Sequence, residues 1–146
     1  MQVYALQSGT LTTELSLQLP THRSRPPNCI RFHPFANLLA ESCAISSLVQ
    51  VWNLDSATVQ MTYYHRGPVL DLAWHPDGDL LAAACQSGEI YLWDRRAPQF
   101  PFKVLRGHET EVVVVAFSHQ GDLLASYSAD QTLRLWIPFT GRQMIY

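Results

Sequence analysis

Residues 106–136 read RGHETEVVVVAFSHQGDLLASYSADQTLRLW, and this stretch sets the register of the whole chain. A Gly107-His108 pair opens it and the apolar run Val112 to Phe117 follows. Gln120-Gly121-Asp122 then reads as a hairpin turn, because glycine supplies a positive φ that aspartate tolerates in its neighbour. A second strand, Leu123-Leu124-Ala125-Ser126-Tyr127, leads to a turn carrying Asp130 and to a third strand ending at Trp136. Val112–Phe117 does not alternate apolar with polar residues as a half-exposed strand would, so both of its faces are expected to be covered.

The same pattern runs outward through the chain. Its strand-terminal aromatics are Tyr4, Trp52, Trp93 and Trp136, separated by 48, 41 and 43 residues. Phe32-His33-Pro34, Trp74-His75-Pro76 and Phe117-Ser118-His119 keep the step, each closing an apolar strand before a turn. Leu80-Leu81-Ala82 follows Asp77-Gly78-Asp79, as Leu123-Leu124-Ala125 follows Gln120-Gly121-Asp122, and Asn37-Leu38-Leu39-Ala40 holds the same place in the first unit. A period of roughly 40–45 residues marks stacked sheet units. A parallel α/β sheet would also bury both faces of a strand, but it needs amphipathic helices between strands, and no ten-residue segment has helical period. The fold class is therefore all-β with short turns.

Gly107-His108, Ser126, Asp130 and Trp136 resemble the signature of a WD-repeat blade, with Trp136-Ile137 where that family usually has Trp-Asp. The resemblance implies a partial β-propeller of four-stranded antiparallel blades. Residues 1–146 are then a single WD-repeat domain: a half blade over 1–19, an inter-blade loop from Pro20 to Pro27, and blades over 28–64, 65–107 and 108–146. Trp52, Trp93 and Trp136 are the repeat tryptophans. The resemblance also implies a buried structural tetrad in the third blade, with the indole N–H of Trp136 bonded to Ser126, Ser126 to His108, and His108 to Asp130. Each bond would satisfy a group otherwise costly to bury. The second unit keeps His65, 28 residues before Trp93 as His108 is before Trp136, but has Tyr64 for the glycine, Ala83 for the serine and Ser87 for the aspartate. In the first unit His22 or Arg23 falls near the histidine position, so only the third blade is expected to hold the full tetrad.

Ser126, His108 and Asp130 are also the residue types of a hydrolase triad. The context argues for structure, because Ser126 lies inside an apolar strand and no G-x-S-x-G elbow exposes it. Six histidines raise the question of a metal, yet His33, His75 and His119 recur near one turn position while His22, His65 and His108 recur near another. No HExxH motif, paired cysteines or carboxylate cluster completes a site, and no glycine-rich phosphate loop occurs. No cofactor is expected. Cys29, Cys43 and Cys85 are an odd number without CxxC spacing, each within an apolar run, and read as buried free thiols of a reducing compartment. The amino-terminal residues lack a basic segment before an uninterrupted apolar core, and no apolar run approaches transmembrane length. The setting expected is cytoplasmic or nuclear.

Ten basic and twelve acidic residues give a net charge of −2, which offers no whole-domain attraction to nucleic acid or an anionic membrane. Arg23, Arg25, Arg95 and Arg96 read as a solvated rim. The resemblance places partner contacts on the loops at one end of the blades, at Pro68, Leu70 and Gln86 in the second unit and Glu111, Val113 and Ala129 in the third. These are mostly uncharged and suit a protein or peptide partner. The reading is thus a non-catalytic protein–protein interaction scaffold within a larger complex. Two alternatives stand beside it. Trp93-Asp94-Arg95-Arg96 resembles the W-D-x-R box of WD-repeat substrate receptors in cullin-RING ubiquitin ligases, with Asp94 and Arg96 as adaptor contacts, although Arg95 stands where that box is usually aliphatic. Some propellers are also enzymes that use residues of the central channel. Half a blade plus three does not readily close a ring, since propellers have typically four to eight blades. The chain is therefore expected to belong to a longer propeller, or to be completed by self-association or a partner chain.

Overall fold

The computed structural model describes residues 2–7, 10–16, 27–43 and 46–144. Its strands form three four-stranded antiparallel meanders and one hairpin. The hairpin pairs β1 (Gln2–Gln7) with β2 (Thr10–Ser16). The first sheet holds β3 (Pro27–Phe32), β4 (Leu38–Cys43), β5 (Leu48–Asn53) and β6 (Thr58–Tyr64). The second holds β7 (Val69–Trp74), β8 (Leu80–Cys85), β9 (Ile90–Asp94) and β10 (Lys103–Leu105), and the third β11 (Val112–Phe117), β12 (Leu124–Ser128), β13 (Leu133–Ile137) and β14 (Arg142–Met144). Of the Pro20–Pro27 loop only Pro27 is described, and it opens β3. His22 and Arg23 lie outside the described residues.

The sheets stack as blades, with β7 of the middle sheet next to both β3 and β11. One core joins Ala40, Val49 and Val51 of the first blade to Leu81, Ala83 and Trp93 of the second. The other joins Ala82, Ala84, Ile90 and Leu92, on the opposite face of the second blade, to Val115, Leu124 and Trp136 of the third. The middle blade is thus covered on both faces, and every residue of β8 is buried. Alanines at 82, 83 and 84 let neighbouring sheets approach closely on both sides.

Blade-to-blade contact is also fixed at the turns. His33 Nε2 lies 2.9 Å from the Gly78 carbonyl oxygen, and His75 Nε2 lies 3.0 Å from that of Gly121. Both glycines have φ near +80° (82° and 79°), and a Cβ at either would overlap the imidazole of the preceding blade. By spacing, His119 groups with His33 and His75. In the third blade, however, Ser118 occupies the equivalent position and bonds Asp122 within its own turn, while His119 is exposed one residue on.

Coverage of both faces of Val112–Phe117 was expected from blades stacked on each side; in the open stack Val113 and Val114 are 40% and 47% exposed. The middle blade has a neighbour on each side, whereas the described residues place one only on the Val115 side of the third. Val114, Tyr127 and Leu133 form a cross-strand row on the uncovered face. The row is equivalent to Asp71, Ala84 and Ile90, which the third blade covers in the second. Among the described residues the blades do not close into a ring.

Candidate functional site

The hydrogen-bond chain of the third blade starts in its core. Trp136 Nε1 donates to Ser126 Oγ at 2.9 Å, and the Ser126 hydroxyl lies 2.7 Å from His108 Nε2. Because the Asp130 carboxylate, with Oδ2 3.1 Å from Nδ1, can only accept, Nδ1 carries the ring proton and Nε2 accepts the Ser126 hydroxyl proton. Asp130 also accepts from the Glu109 backbone N–H at 3.0 Å and from the backbone and hydroxyl of Thr132. Burial pushes its carboxyl up, but bonds from the Thr132 hydroxyl, the Glu109 and Thr132 N–H groups and His108 outweigh it and hold it below the ordinary aspartate value. Ser126 is only 2% exposed. Its hydroxyl has partners on both sides, the indole and the imidazole, an arrangement that braces the turn.

The other two blades solve the same problem with different residues. Ala83 leaves no hydroxyl in the second, so Trp93 Nε1 donates directly to His65 Nε2 at 2.9 Å. His65 Nδ1 then donates to the Ser47 carbonyl of the first blade, 3.2 Å away, in place of the missing aspartate. Burial lowers the His65 pKa to about 4, in keeping with an Nε2 that must stay an acceptor. Ser87 is exposed and takes no part in this chain. In the first blade Trp52 Nε1 donates to Glu41 Oε2 at 3.0 Å. Glu41 is buried at the position of Ser126, a substitution that aligning Leu38-Leu39-Ala40 with Leu123-Leu124-Ala125 would have revealed.

The other residue missed by sequence reasoning is Asp71, on the innermost strand of the middle blade and 7% exposed. Its Oδ1 accepts from Arg31 Nη2 at 2.7 Å and from the Cys29 thiol at 3.3 Å, both on the first blade. Its Oδ2 accepts the Val115 backbone N–H of the third blade at 3.1 Å. One carboxylate thus joins all three blades at the inner edge, where a groove of about 520 Å³ is lined by Arg31, Asp71, Trp74 and Phe117. Among the described residues, no three His, Cys, Asp or Glu side chains are grouped to hold a metal.

The six candidate partner residues lie at one end of their blades, Pro68, Gln86, Glu111 and Ala129 in loops that adjoin in pairs and Leu70 and Val113 at the second positions of β7 and β11. Gln86 N–H donates to the Pro68 carbonyl at 2.9 Å, and Ala129 N–H to that of Glu111 at 3.0 Å. Gln86, Val113 and Ala129 are exposed, while Pro68, Leu70 and Glu111 are half-buried. Asp94 and Arg96 lie at the opposite end of their blade. Arg96 is bonded to Asp94 at 3.3 Å and paired with Asp79 at 3.1 Å, its side chain 67% exposed.

The family model described as "WD domain, G-beta repeat" matches residues 13–53, 57–94 and 99–136. The chain is 34% identical over 134 residues to the nuclear distribution protein PAC1 of Fusarium vanettenii, an alignment covering 84% of this chain and 30% of that protein. It is also 34% identical over 167 residues to PAC1 of Gibberella zeae, covering 92% and 36%. The chain therefore spans about a third of the length of these relatives. Among solved structures, the RRP9 WD40 repeats superpose with a TM-score of 0.76 at 21% identity, covering 82% of this chain and 37% of that one.

Proposed function

The chain belongs to the WD-repeat family, and from that premise we propose that it is a non-catalytic scaffold that presents loop surfaces to a protein or peptide partner in a larger complex. The observation that carries the reading is the pairing of Pro68 with Gln86 and of Glu111 with Ala129. It gathers the candidate contacts of two blades at one end of the stack, on backbone already fixed by hydrogen bonds. Of these residues only Glu111 is charged, which favours an apolar protein surface over a phosphate backbone. The buried Ser126–His108–Asp130 chain acts as the brace beneath these loops. The uncovered face of the third blade is completed by further blades, in a longer propeller or from another chain. Three free, buried cysteines support a cytoplasmic or nuclear setting.

The test is co-purification with wild-type protein and with a Val113→Glu/Ala129→Arg double variant, alongside a broad hydrolase screen. A partner held by the wild type and lost from an equally stable double variant supports the scaffold. Turnover abolished by Ser126→Ala, or partners indifferent to both loop changes, would contradict it.

A further inference from the structure

Among the described residues, the outermost strands of the three blades, β6, β10 and β14, are each paired on one side only. Exposed strand edges invite pairing with other chains and are usually blunted by shortness, charge or proline. β10 and β14 follow that rule. Each has three residues, and they carry Lys103 and Arg142 respectively. β6 does not, since its seven residues, Thr58–Tyr64, include no charge and no proline. A single bulge opposite Val51/Trp52 interrupts its register at Gln60 and leaves Met61–Tyr64 regular.

What lies beside this edge is also particular to it. The connection from β9 to β10, residues 95–102, is twice as long as its counterparts at 54–57 and 138–141. It walls a groove of about 470 Å³ along β6, lined by Met61, Thr62, Tyr64, Trp93, Pro98 and Pro101. No lining residue is charged, and Tyr64 is 71% exposed. A volume of this size accommodates a few side chains of a bound segment.

We infer that the β6 edge and this groove form a second docking site, where an extended, uncharged peptide segment of another protein adds as a fifth strand to the first blade. The main chain of Met61–Tyr64 supplies the ladder hydrogen bonds, and alternate side chains of the peptide enter the groove. The uncharged lining selects against acidic and basic residues at those positions, because a charge buried there finds no partner. The 95–102 connection walls the far side, so the slot receives one strand and not a second sheet. The site lies on the outer circumference, away from the loops proposed above as the main partner surface, and does not depend on them.

The probe is a display library of random linear seven-residue peptides selected against the intact chain, with enriched peptides resynthesised. Hydrogen exchange on the wild-type complex is expected to show new protection at Met61–Tyr64, and the enriched sequences to be uncharged at alternate positions. Thr62→Lys should weaken binding about tenfold or more, equivalent to at least about 1.4 kcal/mol, while Gln120→Lys in an exposed turn of the third blade leaves it unchanged. Protection elsewhere, charged consensus positions, failure to enrich any peptide, or a β6-to-β6 dimer abolished by Thr62→Lys would each overturn the proposal. The exchange measurement decides the matter even where Thr62→Lys does not fold.

Discussion

The Asp71 carboxylate accepts the backbone N–H of Val115 at 3.1 Å, across the junction between the second and third blades. Val115 sits on the innermost strand of its sheet, which among the described residues pairs only with β12. Asp71→Ala strands that N–H, together with Arg31 and the Cys29 thiol on the other side. The expected cost in urea unfolding is about 1–3 kcal/mol. Arg31→Ala, which removes a half-exposed partner, is expected to cost less, and the reverse order would contradict the bridging role.

In the third blade Asp130→Ala removes the acceptor of His108, Glu109 and Thr132 together, whereas Ser87→Ala changes an exposed residue at the equivalent place in the second blade. The first substitution is expected to lower the unfolding midpoint clearly and the second hardly at all. Equal effects would break the assignment of the tetrad.

The direct indole–imidazole bond of the second blade predicts a pH dependence. Burial lowers His65 from the ordinary 6.5 to about 4, so between these values the unfolded chain binds the proton and the native chain does not. Stability is then full above pH 6.5 and declines as the pH falls towards 4, with a contribution on the order of 3 kcal/mol from this residue. His33, also lowered by burial, acts in the same direction. Unfolding free energies measured from pH 7 to pH 4 should show this decline, and His65→Gln should reduce it. A His65→Gln profile parallel to the wild type would refute the account.

The thiols give an independent check on packing. Burial pushes Cys85 up to about 12, and burial together with the Asp71 carboxylate pushes Cys29 up to about 11. Both are therefore poor thiolates at neutral pH. Labelling by a thiol reagent is expected to be slow in the native protein and fast in denaturant, and rapid native labelling of Cys85 would be inconsistent with its place in β8.

The repeat was legible because the geometry of each blade is local. The step between Trp93 and Trp136, the Gly78 and Gly121 turns and the apolar strands between them leave marks at fixed spacing in the sequence. Ser126, His108 and Asp130 were readable for the same reason. Asp71 was not, because its partners Arg31 and Val115 lie 40 and 44 residues away and its sequence neighbours form an ordinary apolar strand. Glu41 had a signal in the Leu-Leu-Ala register, but the irregular spacing of the first blade concealed it. The exposure of Val113 and Val114 depends on what stands beside the third blade, which the composition of β11 does not encode.

This stack of blades is an incomplete propeller, with the Val114–Tyr127–Leu133 row awaiting cover. An uncovered apolar face beside unpaired strand edges favours association. Sedimentation velocity of the 146-residue chain over a range of concentrations, compared with a Tyr127→Lys/Leu133→Lys variant, tests it most directly. The account predicts concentration-dependent association of the wild type that the variant suppresses. A wild-type chain that stays monomeric at tens of micromolar and unfolds cooperatively on its own would contradict it.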